Sequence, residues 1–270
     1  MEIMNKGIFL LPSLFTMLNM GAGFYSIVAT INGRYTVAAW AIIVAIFSDG
    51  FDGMIARLTK TTSLLGVEFD SFSDFVSFCI APVILMYVIV LEHYHFPGLI
   101  VGFVYILCGS FRLARFNIME LKGKFNGIPS PSSEPILHFE GLPTPAGAGI
   151  LASFVLVFEL FDKFEQGITK KTIPLLMQQV PILFNLIPIL MIIISFIMIS
   201  KIKYMSIKRF NMIRRVRVQT FILIIVAVLL VFSFPENMVF IIFSMYLLSG
   251  LLEYIWQVGE LRRKRLLKAK

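Results

Sequence analysis

Between Ser48 and Asp74 the chain places four carboxylates, Asp49, Asp52, Asp70 and Asp74, in segments otherwise apolar enough to lie in a bilayer. An aspartate at the centre of a membrane helix costs roughly 2.5–3.5 kcal/mol on insertion scales, so acids in such places face a cavity and mark a functional site. Asp49 and Asp52 are three apart and Asp70 and Asp74 four apart, so on helices each pair shares a face and forms a two-pronged oxygen ligand. Antiparallel neighbours joined near residues 58–66 would bring both pairs to one end of the membrane, giving the hard, oxygen-rich site that Mg²⁺ or Mn²⁺ prefers. Four bare acids repel one another, and a divalent cation relieves that repulsion. Gly53, Ala56 and Gly66 are small enough for a ligand or a second helix to approach the backbone closely. Arg57 adds a fixed cation suited to a phosphate oxygen. The bland alternative is a set of acids paired with basic residues merely to satisfy a helix bundle.

The order Asp49, Asp52-Gly53, Ala56-Arg57, Gly66, Asp70 and Asp74, with these spacings, resembles in full the signature of the CDP-alcohol phosphotransferases, membrane enzymes that make phospholipid headgroup linkages. The resemblance implies that Asp49, Asp52 and Asp70 hold a divalent cation on the diphosphate of a CDP-lipid. Asp74 would contribute to a second metal or, as preferred here, act as general base. Gly53, Ala56 and Gly66 would make room for the cytidine and its phosphates, with Arg57 beside them.

The elements that must position these residues follow from composition. With 58% hydrophobic and 15% charged residues and a mean hydropathy of +0.86, the 270-residue chain is not an ordinary soluble domain. It is expected to be an all-α, polytopic membrane protein. At about 20 residues per span, eight candidate helices emerge, near 10–31, 36–57, 70–92, 97–117, 144–162, 180–200, 218–234 and 237–256. The whole is expected to be one membrane domain, with a core of six helices over 10–200, then a basic loop, two additional helices and a basic tail over 201–270. The apolar run after Lys6 continues without a small-residue cleavage site and reads as the first span rather than a signal peptide.

If the N-terminus is inside, 20 of the 24 Lys and Arg residues fall on cytoplasmic segments and only Arg34, Lys163, Lys170 and Lys171 lie outside. That bias predicts an even number of spans, both termini cytoplasmic and the aspartates at the cytoplasmic face of the cytoplasmic membrane. It also explains the net charge of +8 by topology and contact with anionic lipid headgroups. No aromatic and basic interleaving suggests a nucleic-acid partner.

Polar residues outside the acid stretch have two readings each. Thr16 and Asn19, three apart in the first span, are either helix-packing hydrogen bonds or polar groups reaching the nucleotide. Ser71, Ser73 and Ser77 either bond carbonyls of their own helix or serve the acceptor. Arg112 and Arg115 either anchor a helix end or form an anion site for a phosphate or an amino-acid carboxylate, with Asn117 beside them. The stretch from Phe69 through Ser77-Phe78 to Ala81-Pro82, the run Arg112-Leu113-Ala114-Arg115-Phe116-Asn117 and the segment Tyr204–Lys208 resemble the serine-using branch of the family. The opening Leu11-Pro12-Ser13 is similar too, with Ser13 where that branch usually carries Asn. The branch implies CDP-diacylglycerol and L-serine as substrates and phosphatidylserine and CMP as products. It implies acceptor contacts from Ser71, Ser77, Arg112, Arg115 and Asn117. The motif at 49–74 alone leaves open another acceptor alcohol, such as glycerol phosphate or inositol phosphate, or an archaeal ether-lipid donor. A cation transporter lined by the acids is the alternative of another class, although transporters spread their acids through the membrane depth.

Pro82 is expected to kink the third span. Phe125–Pro131 and Phe139–Pro145 form a near-repeat in an inner loop over 118–143, the second copy matching the family's Gly-Leu-Pro-x-Pro entry to the fifth helix. His93 and His95 lie on the face opposite the acids and receive no catalytic role. Cys79 and Cys108 fall within spans and suggest neither zinc nor a disulfide. The last two helices are left for packing, the place where subunits of a homodimer could meet.

Overall fold

The computed structural model describes residues 2–59, 64–125, 138–166, 180–200, 202–205 and 233–268. Within them α1 (Glu2–Ile31) and α2 (Tyr35–Thr59) form a hairpin with extensive mutual packing. Gly33 closes it in the left-handed region, at φ +72°, where a side chain would be strained. Its N–H bonds the Thr30 carbonyl at 3.0 Å and the Arg34 N–H bonds that of Ala29 at 2.8 Å, satisfying carbonyls that the end of α1 would leave exposed.

The third span is a composite. α3 (Leu64–Asp74) passes into a π-helical segment, Phe75–Ile80, and then into α4 (Ala81–Ile89). Pro82, in the first turn of α4, has no N–H to offer the carbonyl of Phe78 four residues back. That carbonyl instead accepts from the buried hydroxyl of Tyr105, at 3.5 Å, and the N–H of Ala81 bonds five residues back to Val76. The departure from α-geometry therefore comes before the proline, between it and Asp74, in the manner of π-bulges beside functional sites.

A short 3₁₀ turn (Leu91–Tyr94) leads into α5 (His95–Phe125), and α6 (Thr144–Glu165), α7 (Val180–Ile199) and α8 (Pro235–Lys268) complete the bundle. The central helix is α6. Its residues from Ala146 to Val157 are all buried, packing against the small face of α2 (Ala38, Ala39, Ile42, Ala45) and against α7 and α8. Two strands, β1 (His138–Glu140) and β2 (Lys203–Met205), pair antiparallel with Phe139 opposite Tyr204, tying the entry of α6 to the exit of α7. Gly141, at φ +80°, extends the tie by donating its N–H to the Ile202 carbonyl at 2.8 Å.

Among the described residues six helices are long and apolar enough to cross a membrane: Leu14–Ile31, Tyr35–Ile55, Gly66–Ile89, Leu91–Ile118, Thr144–Glu165 and Ile182–Ile199. Phe24, Phe47, Phe103 and Phe196 are each 63–64% exposed, a surface suited to lipid rather than water.

Three expectations change. α5 runs on to Phe125, past the start of the loop expected over 118–143, because Met119–Lys124 contains helix formers and a single glycine. The second copy of the near-repeat runs from strand β1 into the first turn of α6, while the first lies beyond Phe125 outside the described residues. The expected eighth helix, 237–256, continues through the basic tail to Lys268, and the seventh, 218–234, falls almost wholly outside the described residues.

Candidate active site

α1 is the element that assembles the acids. It packs against α2, α3, the π-segment and α4. The hydroxyls of Ser73 and Ser77 donate to the carbonyls of Thr16 and Asn19, at 3.0 and 2.8 Å, fixing α1 against the third span. At the same two residues the side chains reach the acids: Thr16 Oγ1 donates to Asp52 Oδ2 at 3.2 Å, and Asn19 Nδ2 donates to Asp74 Oδ1 at 3.0 Å. The packing reading of Thr16 and Asn19 thus gains a specific content, since what they hold in place are the carboxylates. Ser77 is fully buried in the same contact, so its hydroxyl faces α1 rather than an open acceptor pocket. Gly23 lets the helices meet this closely; a Cβ there would collide with the backbone and hydroxyl of Ser77.

Asp49, Asp70 and Asp74 each turn a carboxylate oxygen to a common point, the three atoms all within 4.8 Å of one another. Asp52 stands beside this trio, 4% exposed, held by Thr16 and lying against the Asp70 carboxyl. The spacing brought all four acids to one site, and the family resemblance put Asp49, Asp52 and Asp70 on the cation with Asp74 at a second metal or as base. The oxygens that converge are those of Asp49, Asp70 and Asp74. Three residues along a helix leave an offset of about 60°, enough to turn Asp52 toward α1. Gly53 is half-buried beside Asp52 and Gly66 is exposed on α3. Ala56 and Arg57 belong to the last turns of α2, where side chains lie outside the described residues.

The remaining candidates divide between two faces of α5. Ser71 Oγ donates to Asn117 Oδ1 at 2.8 Å, and Asn117 Nδ2 donates to Glu68 Oε2 at 3.4 Å. With Phe72, Phe75, Ser110, Leu113 and Ala114 they line a groove of about 290 Å³ between α3 and α5, which none of the four aspartates borders. On the other face, Arg112 Nη1 donates to Thr144 Oγ1 at 3.1 Å, and Arg115 Nη1 to the Ile199 carbonyl at the end of α7, at 3.4 Å. Arg115 thus reaches the end of α7, whereas Arg112 reaches inward to the first residue of α6. His93 and His95 are exposed at the far end, and Cys79 and Cys108 are buried free thiols.

Residues 9–184 match the family model for CDP-alcohol phosphatidyltransferases. The chain belongs to that family. It is 30% identical over 249 residues, 92% of either chain, to the CDP-diacylglycerol–serine O-phosphatidyltransferase of Helicobacter pylori (strain J99). It is 35% identical over 148 residues to the archaetidylserine synthase of Methanothermobacter thermautotrophicus, covering 54% of this chain and 58% of that one. The CDP-diacylglycerol–serine O-phosphatidyltransferase of Saccharomyces cerevisiae is 35% identical over 167 residues, 58% of either chain. Family membership and six apolar spans together make this an integral membrane protein.

As a CDP-alcohol phosphatidyltransferase, the chain has a donor set that fits a divalent cation. All four side chains offer hard anionic oxygens, three of them converge, and each acid stands in the field of the others in a water-poor bundle. Residues that sequence reasoning missed are the supports: Gly23 under Ser77, Tyr105 on the Phe78 carbonyl and Thr144 on Arg112. Thr144 could have been found, since it is the variable position of the Gly-Leu-Pro-x-Pro entry. The pairing of Gly23 with Ser77 and of Tyr105 with Phe78 depends on the helix arrangement alone.

Proposed function

We propose that the protein transfers the phosphatidyl group of CDP-diacylglycerol to the hydroxyl of L-serine, giving phosphatidylserine and CMP. The convergence of Asp49, Asp70 and Asp74 beside Asp52 carries the chemistry. The acceptor rests on the 30% identity with the serine-using Helicobacter pylori enzyme over nearly the whole chain. Asp49, Asp52 and Asp70 would hold Mg²⁺ or Mn²⁺, leaving Asp74, whose oxygen converges with those of Asp49 and Asp70, to act as base. The bound cation supplies charge neutralisation on the diphosphate oxygens. Asp74 takes the proton of the serine hydroxyl as its oxygen bonds to the lipid-bearing phosphorus, and the bond from that phosphorus to the CMP oxygen breaks, CMP leaving with the electron pair. Asn19 keeps Asp74 oriented and Thr16 does the same for Asp52. By the family motif, Arg57 would serve the phosphates, and Gly53, Ala56 and Gly66 would make room for the cytidine.

The site belongs at the cytoplasmic face of the cytoplasmic membrane, with both termini inside and eight spans in one domain, six of them the catalytic core. The support is that, with eight spans and the N-terminus inside, 20 of the 24 basic residues fall on the inner segments. The last two helices are available for packing between two copies. The likeness to the archaetidylserine synthase supports a second reading of the donor alone, a CDP-lipid with ether-linked chains.

The deciding experiment is CMP release by the purified protein with CDP-diacylglycerol and Mn²⁺ or Mg²⁺, comparing L-serine, glycerol 3-phosphate, inositol 1-phosphate and no acceptor. Stimulation by serine alone is expected. Stimulation by another alcohol instead would keep the chemistry of the aspartates and overturn the acceptor.

A further inference from the structure

Two buried polar atoms near Asp74 have no hydrogen-bond partner among the described residues, and they are of opposite kind. Asn19 Oδ1 is an acceptor. The side-chain Nδ2 donates to Asp74, the backbone carbonyl of Asn19 accepts from Ser77, and the residue is 0% exposed. The bond to Asp74 fixes which end of the amide is oxygen, because only the NH₂ group can donate to a carboxylate. Arg112 Nε is a donor. Among the described residues the guanidinium has Thr144 as its hydrogen-bond partner and no carboxylate within ion-pair distance, while Asp74 is the foremost charge in its surroundings.

A buried amide oxygen left without a donor costs about 1–3 kcal/mol, and a buried guanidinium without an anion costs more. A ligand that donates to the first and accepts from the second removes both penalties. A zwitterionic amino acid carries both groups on one carbon, one bond from the CH₂OH of serine. Resting on the serine-using reading above, we propose that Asn19 Oδ1 takes the ammonium and Arg112 the carboxylate of the acceptor amino acid, leaving its hydroxyl at Asp74. Thr144 then acts as a positioning residue that aims the guanidinium. A phosphorylated alcohol lacks the ammonium, so Asn19 Oδ1 discriminates against it.

The test measures kcat/KM of the purified full chain with CDP-diacylglycerol for L-serine, ethanolamine, which lacks the carboxylate, and 3-hydroxypropionate, which lacks the ammonium. The wild-type protein is expected to prefer serine to either analogue by about a hundredfold or more. In Arg112→Gln the preference over ethanolamine falls by about tenfold or more while that over 3-hydroxypropionate holds; in Asn19→Leu the pattern reverses. Ratios cancel any loss common to all acceptors, including the loss of the Asn19 bond to Asp74. Arg112→Lys keeps charge and bulk in case the neutral variant fails to fold, and should lose about fivefold of the preference over ethanolamine. Parallel losses for all three acceptors would overturn this inference and leave the serine-using reading standing. A wild-type protein whose CMP release serine does not stimulate would overturn both.

Discussion

At the residue scale the division of labour among the acids makes separable predictions. Asp49→Asn removes an oxygen proposed to hold the metal, whereas Asp74 is proposed to act as base, so for Asp49→Asn the metal concentration for half-maximal activity should rise about 100-fold and metal-dependent binding of CDP-diacylglycerol should weaken with it. Asp74→Asn should leave that binding largely intact while kcat falls by about 10²–10⁴; equal binding losses in both variants would remove Asp74 from the role of base. Thr16→Val keeps shape but withdraws the hydroxyl from Asp52, and about a tenfold weaker metal dependence should appear in a titration of activity against Mn²⁺. The four acids were legible in the sequence because a charge in an apolar helix is conspicuous and its spacing gives its face. Which three would converge was not, since that depends on α1 wedging Thr16 against Asp52. For the same reason Asn19 was legible as a buried amide and illegible as the partner of an acid 55 residues away.

At the element scale the fit of α1 against the third span sets the geometry of the site. Gly21 and Gly23 give an internal comparison: a Cβ at Gly21 meets nothing within 4 Å, whereas one at Gly23 meets the backbone of Ser77. Gly23→Ala should therefore lower thermal stability in detergent by about 1–3 kcal/mol and reduce activity as Asn19 is displaced. Gly21→Ala should be neutral in both measurements. Equal behaviour of the two would mean that the helices do not meet at Gly23. The six described spans were foreseeable from runs of apolar residues, and the hairpin from Gly33 between two of them. The π-segment was not. Pro82 announces a broken bond at Phe78, but only Tyr105 on another helix shows how the orphaned carbonyl is satisfied. Helix ends were missed where helix-forming residues continued past the apolar core, as in α5 and α8.

For the whole molecule the sidedness of the membrane decides whether the aspartates can meet water-soluble serine. On the proposed topology the α1–α2 turn lies outside and the far end of α5 inside, with the acids near the inner face. Asn32 in that turn and Ile118 on α5 are both exposed, and the native thiols Cys79 and Cys108 are buried, so background labelling by a bulky maleimide should be low. In intact cells a membrane-impermeant maleimide should modify Asn32→Cys, and Ile118→Cys should react only after permeabilisation. The reverse pattern would place the four aspartates on the outer face, away from cytoplasmic serine and nucleotide-activated lipid. It would then contradict the proposed reaction in its cellular setting even if the purified protein performed it, because the proposed topology rests on basic residues spread from Lys6 to Lys270, most of them outside the site, and not on the chemistry of the aspartates.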